Sequence, residues 1–486
     1  MILSLDGEGP LYRQVTRALR QSIERGDLVA GERLPGTRRL AADLGVSRNI
    51  VIMAFDQLVI EGYVESRVGS GTVVADTRPM VGLSVPVKRQ SESADTVKLS
   101  VEGKRLVDAA GQALDLARQP GKARYNFEYG LVEPDATSQA QWRRLMAQSI
   151  ATAQFDYGHP AGEPGLREEV AKHLNNHRGL NIASDNVVIV SGSQQALDLV
   201  ARLFVSPGDR VLVEEPQYQG ARQAFVAAGA NLLPSPVDAD GMSIPEDAGR
   251  IRVAYVTPSH QFPTGVVMPA QRRFELLRWA ASHGTLIVED DYDSEFRYDS
   301  HPVQALAGLR SEAAVVYVGT FAKSLFPGLR LGYLAAPKSI ANSLTRAKWL
   351  TDRCCSLPLQ NALATFMASG DYRRHLRRMS RRYSQSRHAL VSALNKWFGA
   401  KIEIGGGQAG IHLTVWFPEL DGCMEATLIE FAMQVDCAVY PVSVYYIDQA
   451  NKACPGLIMG YSSMQAADIE AAVERLATAW TPLFER

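Results

Sequence analysis

The sequence predicts a large α/β domain, with a mainly parallel sheet and helices on both faces, behind a small helical N-terminal head that ends in a hairpin. Three observations support this prediction. The 486-residue chain is longer than one compact core usually accommodates. Apolar residues recur at helical spacing in residues 11–59, and short β-branched runs alternate with helical patterns from about residue 157 onward.

The composition predicts a soluble protein of the reducing cytoplasm that binds no metal. Hydrophobic residues make up 46% of the chain and charged residues 21%, which is ordinary for a globular protein. No apolar run approaches the ~18 residues of a membrane span, and residues 1–6 lack the basic start of a secretory signal. The five cysteines show neither a C-x-x-C pair nor metal-ligand spacing.

Net charge does not by itself indicate a nucleic-acid partner. The chain carries a formal charge of −1, and residues 1–75 contain nine arginines, no lysine and nine acidic residues. A phosphate-binding surface in this region would therefore be a local arrangement of arginines rather than a uniformly basic domain.

Three helices are predicted in the head. The first follows Pro10 and ends at Gly26, because proline suits a helix start and glycine a helix stop. Thr37 is expected to cap the second helix and Ser47 the third, with a tight turn at Gly45 between them.

The head is predicted to end in a β-hairpin. Residues 63–65 and 72–74 are short strand-like runs joined by residues 67–71. The third helix exposes Arg48 and Asn49 in its first turn, the part of a recognition helix that meets base edges. A small helical cap without any DNA contact is the alternative interpretation of these elements.

The head closely resembles the GntR-type winged helix-turn-helix, through residues 34–48, 61–63 and 69–72. The resemblance implies a double-stranded DNA operator, with the third helix in the major groove and the wing toward the minor groove. Because Arg38 and Arg39 are adjacent and point about 100° apart, one of them could form a structural salt bridge instead. The residues implied in DNA contact are Arg38, Arg39, Ser47, Arg48, Asn49, Arg67, Gly69, Ser70 and Gly71.

Residues 77–124 are predicted to form a linker. No aromatic residue lies between Tyr63 and Tyr125, and residues 77–100 show neither a helical nor a strand period. Residues 101–120 contain helix formers, so part of the segment is expected to order against a partner. The expected domains are the head at 1–76, the linker at 77–124 and the α/β domain at 125–486, with a large part at about 157–345 and a small part at about 346–486.

Polar residues follow the predicted strands of the α/β domain. A helix is predicted directly after the turn 191–194, and such a helix N-terminus binds phosphate through free backbone N–H groups. Asp290 and Tyr292 follow one predicted strand, and Lys323 follows another. Because ligands of open α/β sheets bind beyond the carboxyl ends of the strands, we expect these residues to lie close together.

The residue types at these strand ends suit a pyridine aldehyde cofactor. Such a cofactor needs an amine for a Schiff base, a carboxylate at the ring nitrogen, a hydroxyl near the ring oxygen and cationic donors for the phosphate. Lys323, Asp290, Tyr292 and Arg330 supply these groups in that order, and Tyr218 offers a face to stack on the ring. Lys323 on its own would be interpreted as a solvated surface charge.

These motifs, together with residues 157–158, 263–265 and 327–333, resemble a fold-type I aminotransferase dependent on pyridoxal 5′-phosphate (PLP). Joined to the GntR-type head, the chain is similar to the MocR/GabR family of transcriptional regulators. The resemblance implies PLP held as an internal aldimine on Lys323, and a head-to-tail homodimer in which each head packs on the other subunit. The residues implied in PLP binding are Lys323, Asp290, Tyr292, Arg330, Tyr218, Ser191, Gly192, Ser193, Gln194 and Thr320.

Two departures favour a regulator that senses a small amine or PLP itself over an active aminotransferase carrying a DNA-binding head. Aminotransferases usually place an asparagine near the ring oxygen, where this chain has Phe262. They bind the substrate α-carboxylate with an arginine, and the alignment puts Ile458 in that position. Residual half-transamination stays open, and Arg222 and His412 are candidates for the missing carboxylate partner.

Residues 373–382 contain six arginines. A solvated helix face balanced by acidic residues is one interpretation. A contact with DNA phosphates is the other, and it would steepen the salt dependence of DNA binding.

Overall fold

The structure is a computed structural model that divides into two compact units, Met1–Lys98 and Leu99–Arg486. We call the first unit the head and the second the α/β unit. The described residues are 3–67, 71–76, 98–117, 123–132, 135–152, 156–246, 249–298, 303–448 and 454–484.

The head consists of three helices and a two-stranded hairpin, as the sequence predicted. Their bounds are α1 Leu11–Glu24, α2 Thr37–Leu44, α3 Arg48–Ile60, β1 Val64–Arg67 and β2 Gly71–Val74. The two strands pair antiparallel, with Arg67 opposite Gly71. Leu19, Leu40 and Phe55, one from each helix, meet in a common apolar core. This burial orients α1 and α2 through their apolar faces, whereas α3 also exposes apolar residues such as Met53 and Ile60.

The turn between α2 and α3 follows from backbone conformation. Gly45 ends α2 with φ 67°, a left-handed conformation that side chains with a Cβ disfavour. Ser47 occupies the N-cap of α3, as predicted. The predicted cap of α2 was wrong by one residue, since Gly36 is the N-cap and Thr37 begins the helix. The Thr37 hydroxyl instead accepts a hydrogen bond from Nε of Arg48 at 3.3 Å.

The α/β unit contains two larger sheets and eleven helices in its described residues. The helices are α4 Val101–Ala117, α5 Ala136–Ala151, α6 Pro164–Arg178, α7 Ser193–Phe204, α8 Gln219–Ala227, α9 Ala270–His283, α10 Lys338–Thr351, α11 Leu357–Ala368, α12 Asp371–Phe398, α13 Glu425–Gln434 and α14 Ala466–Trp480. The strands are β3 Tyr125–Asn126, β4 Val187–Val190, β5 Arg210–Glu215, β6 Asn231–Asp238, β7 Gly241–Met242, β8 Val253–Val256, β9 Leu286–Asp291, β10 Val315–Thr320, β11 Gly332–Ala335, β12 Glu403–Gly405, β13 His412–Trp416, β14 Cys437–Ala438, β15 Tyr440–Pro441 and β16 Gly456–Gly460.

The larger sheet has eight strands in the order β4, β11, β10, β9, β8, β5, β6, β7. The pairs from β10 through β9, β8 and β5 to β6 are parallel, whereas β11 is antiparallel to both of its neighbours. Helices cover both faces, as β4 shows: Val188 packs in one apolar cluster with α7, and Ile189 packs in another with α6. The fold class predicted from the sequence is confirmed.

The smaller sheet has four strands in the order β12, β13, β16, β15. Its apolar side packs against α12 and α14, with Leu390 and Leu476 fully buried in the shared core. The short strands β3 and β14 form a separate parallel pair.

Helix α4 lies inside the segment predicted as a linker. It packs against α8, and its contacts place it in the α/β unit, which begins at Leu99. Residues 77–97 lie outside the described residues. The domain boundaries near residues 76 and 124 stay predictions.

None of the helices in the described ranges has the length and apolar composition that crossing a membrane requires.

Candidate cofactor site and DNA-binding head

A cavity of about 270 Å³ lies at the carboxyl ends of β9 and β10. Asp290 belongs to the last residues of β9, which extends three residues further than the run expected from the sequence, and Lys323 follows β10 by three residues. The parallel pairing of these strands brings both residues to one edge of the sheet. Of the residues predicted to bind a cofactor, the cavity wall contains Lys323, Asp290, Tyr292, Arg330, Tyr218, Thr320 and Ser193.

Lys323 points its amine into this cavity. Its Nζ donates a hydrogen bond to the carbonyl oxygen of Gly130 at 3.2 Å. Burial lowers the pKa of Lys323, although Asp293 and Glu128 oppose this shift. Gly130 has φ 82°, a conformation that favours glycine, and a Cβ there would overlap Nζ and displace the amine. A lowered pKa increases the fraction of neutral amine, which is the nucleophilic form.

Asp290 presents an unused acceptor. Its Oδ2 accepts a hydrogen bond from the Tyr255 hydroxyl at 2.8 Å, whereas its buried Oδ1 has no partner among the described residues. Burial raises the pKa of Asp290 to about 7. A buried acceptor without a donor is costly, and a protonated ring nitrogen would supply that donor. Asp290 therefore fits the pyridine nitrogen of PLP.

The opposite end of the cavity suits a phosphate. Helix α7 begins at Ser193 directly after Gly192, so its first backbone N–H groups have no partner within the helix. The Arg330 guanidinium donates a hydrogen bond to the carbonyl oxygen of Ser191 at 3.0 Å. A Cβ at Gly192 would lie 3.2 Å from the same guanidinium. An arginine beside a helix N-terminus is a suitable anion site.

Two residues of the predicted phosphate turn have side chains engaged elsewhere. The Gln194 amide donates to the carbonyl oxygen of Gly220 at 3.0 Å, and the Ser191 hydroxyl lies 3.5 Å from Sγ of Cys355. The groups of this turn that remain as predicted phosphate ligands are therefore its backbone N–H groups and Ser193.

The remaining end of the cavity is aromatic and apolar. Phe262 is buried and packs at 5.0 Å, between ring centroids, from both Tyr129 and Tyr445. Ile458 lies in the same apolar cluster and is fully buried. His412 lines the cavity, whereas the guanidinium of Arg222 lies 3.4 Å from the Tyr446 carbonyl oxygen and outside the cavity wall. Of the two candidate carboxylate partners, only His412 is in position to meet a ligand.

Sequence reasoning missed Tyr255, His260 and Asp293. Tyr255 lies in the middle of β8, a strand in which all four residues are buried. A hydroxyl in such a strand must find a hydrogen-bond partner, and this was the available signal. His260 and Asp293 form a buried pair behind Tyr292, with Nδ1 of His260 3.0 Å from Oδ2 of Asp293. Their proximity depends on loop conformations that the sequence pattern does not specify.

The predicted DNA-contacting residues of the head are exposed where the structure describes them. Arg38 and Arg39 lie on α2, and Ser47, Arg48 and Asn49 lie at the start of α3. Within the described part of the chain neither Arg38 nor Arg39 has an ion-pair partner, so the alternative of a structural salt bridge finds no support there.

The predicted wing is described only at its base. Gly69 and Ser70 lie outside the described residues, and Arg67 and Gly71 close the β1–β2 ladder. The guanidinium of Arg33 lies within 3.2 Å of where a Cβ at Gly71 would be. Arg33 is therefore a cation at the base of the wing that the sequence pattern did not reveal.

The arginine run lies in α12. Arg374 pairs with Asp371 at 2.7 Å, and Arg378 pairs with Asp135 at 3.3 Å. Arg373, Arg377 and Arg381 are exposed, and none of them has an ion-pair partner among the residues that the structure describes. The balanced helix face therefore accounts for only part of the run.

Residues 125–476 match the family "Aminotransferase class I and II", and residues 11–74 match "Bacterial regulatory proteins, gntR family". The α/β fold is similar to that of kynurenine aminotransferase from Pyrococcus horikoshii, solved with PMP, at a TM-score of 0.69 and 26% identity. That likeness covers 82% of this chain and 98% of the other. The molecule is thus a DNA-binding winged helix-turn-helix joined to an aminotransferase-like domain.

Two curated relatives share this architecture over nearly their whole length. The probable rhizopine catabolism regulatory protein MocR of Rhizobium meliloti is 37% identical over 489 residues, which cover 99% of this chain and 96% of that protein. The pyridoxine biosynthesis transcriptional regulator PdxR of Corynebacterium glutamicum is 31% identical, covering 93% of this chain and 91% of that protein. The chain belongs to the MocR-type transcriptional regulators of the GntR family.

Arg48→Ala is expected to weaken specific DNA binding about tenfold, because it removes a cation from the first turn of the recognition helix. The measurement is an equilibrium titration of the full-length chain with duplexes that the wild type selects from a random pool. Arg25→Ala, which changes an exposed arginine at the C-terminal end of α1, is the matched control. Equal affinities of the two variants would contradict the assignment of α3 as the recognition helix.

Proposed function

We propose that this protein is a cytoplasmic homodimeric regulator whose binding to a DNA operator is controlled at a PLP site centred on Lys323. The observation that carries the proposal is the arrangement of three groups around one cavity. These are the Lys323 amine, the unpartnered Oδ1 of Asp290, and Arg330 beside the N-terminus of α7. A head-to-tail dimer, with each head on the other subunit, is part of the proposal and rests on the family resemblance.

Each group has a separate task in the proposed site. PLP, when bound, supplies an electrophilic carbon that reacts with primary amines. Lys323 offers its amine, whose lowered pKa increases the neutral fraction, and Asp290 holds the proton of the ring nitrogen. Arg330 and the first N–H groups of α7 bind the phosphate. Tyr218 is half-buried, desolvation raises the pKa of its hydroxyl, and its ring offers a face to cover the cofactor.

The apolar end of the cavity supports sensing rather than turnover. Phe262 lines that end in place of the asparagine that an aminotransferase would use, and Ile458, in place of the arginine, packs in the same apolar cluster outside the cavity wall. The effector is therefore a small amine without a conventionally placed carboxylate, or PLP itself. The name of the Corynebacterium relative, a regulator of pyridoxine biosynthesis, supports PLP as the effector.

An aminotransferase carrying a DNA-binding head is the second candidate, and the presence of Lys323, Asp290 and Tyr292 in the cavity wall favours it. Multiple-turnover assays with several amine donors and keto acids separate the two functions. No more than a single half-reaction, which stops after one equivalent, is expected of the regulator. Sustained turnover would support the enzyme.

Lys323→Ala is expected to abolish the visible absorption band of the PLP-loaded protein, because the covalent link to the lysine is removed. Lys338→Ala, which removes a surface lysine paired with Asp185, is the control and should keep the band. The band is recorded after equilibration with PLP and removal of the free cofactor. A wild-type protein that stays colourless would overturn the proposed PLP site.

Tyr255→Phe is expected to weaken PLP retention about fivefold at pH 7, because it removes the hydroxyl that donates to Asp290. This hydrogen bond lowers the pKa of Asp290, so its removal leaves more of the carboxyl protonated and uncharged at pH 7. The defect should shrink at pH 9, where the carboxyl is ionised in both proteins. PLP dissociation is followed by the decrease of the visible band.

The control for Tyr255→Phe is Tyr317→Phe, since the Tyr317 hydroxyl donates to the buried Asp291 outside the cavity wall. That variant is expected to retain PLP as the wild type does. Equal weakening in both variants would indicate general destabilisation instead of a local effect on Asp290.

DNA contact by α12 is expected to depend on its unpaired arginines. Replacing Arg373, Arg377 and Arg381 by glutamine should reduce the slope of log K against log salt by about 0.9 for each DNA phosphate that the variant no longer neutralises. Arg374→Gln is the control, because that arginine is already paired with Asp371. An unchanged slope in the triple variant would show that the run is a solvated face only.

A further inference from the structure

A buried hydrogen-bonded pair lies directly behind the Tyr292 hydroxyl. His260 is 2% exposed and Asp293 is 1% exposed. Nδ1 of His260 lies 3.0 Å from Oδ2 and 3.2 Å from Oδ1 of Asp293. The Tyr292 hydroxyl lies 3.1 Å from the same Nδ1. Oxygen atoms of two side chains thus approach one ring nitrogen, and only one arrangement of protons suits both side chains.

The carboxylate decides that arrangement. An ionised carboxylate only accepts hydrogen bonds, so Nδ1 of His260 must carry the proton that it shares with Asp293. A protonated Nδ1 has no lone pair for the Tyr292 hydroxyl, whose oxygen must therefore act as an acceptor toward His260. Burial, followed by Asp293 and Asp290, raises the pKa of Tyr292 well above its usual value, so the phenol keeps its proton. That proton is left free to point into the cavity.

We propose that the Asp293–His260 pair is a positioning device that turns the Tyr292 hydroxyl into a hydrogen-bond donor aimed at the cofactor ring oxygen. The inference rests on the proposed PLP site. His260 stands two residues before Phe262 on the same loop. Phe262 has no amide group to donate to the ring oxygen. His260, on the same loop, compensates indirectly because it fixes the orientation of the Tyr292 hydroxyl.

The space around the pair is built for close contact. A Cβ at Gly410 would overlap both Oδ2 of Asp293 and Nδ1 of His260, so only glycine permits this approach. The carbonyl oxygen of Gly410 accepts hydrogen bonds from the hydroxyls of Tyr298, at 2.7 Å, and Tyr461, at 2.8 Å. These two hydrogen bonds hold the Gly410 backbone in place against the His260–Asp293 pair.

The pair is surrounded by charged and titratable groups from several elements. Asp290, Asp291 and Glu295 lie on β9 and the segment after it, Arg297 lies further along that segment, Lys323 follows β10, and His412 begins β13. Burial, followed by His260 and Lys323, lowers the pKa of His412 well below its usual value, so His412 is neutral. A pH titration must therefore be compared between matched variants rather than interpreted alone.

A metal ion is the competing explanation of this cluster. Ligand atoms of His260, Asp293 and His412 lie within 4.8 Å of one another, and Nε2 of His260 and Nδ1 of His412 have no partner among the described residues. The carboxylate of Asp293 is, however, already engaged with Nδ1 of His260, which favours the hydrogen-bonded arrangement. Addition of Zn²⁺ tests the metal explanation separately.

The principal measurement is the pH midpoint of the visible band in the PLP-loaded, full-length protein. A hydrogen-bond donor at the ring oxygen stabilises the anionic form of that oxygen. The anionic oxygen then holds the proton on the neighbouring lysine nitrogen less strongly, so the pKa of that nitrogen falls. His260→Leu removes the support of Tyr292 and is expected to raise the midpoint by about one pH unit. His260→Asn keeps an N–H close to the position of Nδ1, and its midpoint is expected to return toward that of the wild type.

Two further variants test whether His260 acts through Tyr292. Tyr292→Phe is expected to raise the midpoint in the same direction. The double variant, His260→Leu with Tyr292→Phe, is then expected to raise it no further than Tyr292→Phe alone. Additive shifts in the double variant would overturn the proposed route through the tyrosine.

A second measurement needs no cofactor. Nitrogen NMR of ¹⁵N-histidine-labelled protein without PLP should show the proton of His260 on Nδ1, with the resonance assigned by its disappearance in His260→Asn. A proton on Nε2 instead would overturn the inference. So would a Zn²⁺-dependent shift of the wild-type midpoint that His260→Asn abolishes, since it would make the cluster a metal site.

The outcomes also separate this inference from the PLP site on which it rests. A colourless wild type overturns the proposed PLP site. A normal wild-type band with the same midpoint in His260→Leu overturns the positioning role alone.

Discussion

The parallel pairing of β9 with β10 is the constraint on which the candidate site depends. Its register sets Asp290 opposite Val318 and Asp291 opposite Gly319, so both strands end at the same edge of the sheet. The Asp290 carboxylate and the residues after β10 that carry Lys323 meet there, although Asp290 and Lys323 lie 33 positions apart in the sequence. Because helices cover both faces of the sheet, the carboxylate is held away from water, and burial raises its pKa to about 7. The same burial makes a cationic ring nitrogen a favourable partner.

Glycines define the cavity as much as the polar groups do. Gly130 leaves room for the Lys323 amine, and Gly192 lets the backbone before α7 approach the Arg330 guanidinium. Arg330 itself has φ 51°, a left-handed conformation that is uncommon for a residue with a Cβ and is found at functional sites. The polar side chains of this site need the backbone to come close to them, and glycines permit that approach.

The parts of the site that follow from strand order could be predicted from the sequence, and those that depend on loop packing could not. Lys323 and Asp290 were predictable because the carboxyl ends of parallel strands share one edge. Arg330 reaches the same edge because it lies in the connection between β10 and the antiparallel β11. The hairpin and the three helices of the head were predictable from periodicity and turn residues. Tyr255 was not, because an alternating or apolar strand pattern does not say which buried hydroxyl meets which carboxylate. His260 and Asp293 come from two different loops, and Arg222, a plausible neighbour of the cavity by sequence, lies outside its wall.

The carbonyl oxygen of Gly410 connects segments of the two sheets, because it accepts hydrogen bonds from Tyr298, after β9, and from Tyr461, after β16. Gly410 precedes β13 of the smaller sheet, whereas His260 and Asp293 belong to loops of the larger one. Because Gly410 lies directly against the His260 imidazole and the Asp293 carboxylate, a displacement of one sheet against the other would alter the space that holds the Tyr292 hydroxyl. With PLP in the proposed site, such a displacement would alter the absorption of the bound cofactor, so that a spectrum recorded during titration with DNA or an effector would report it without any attached label.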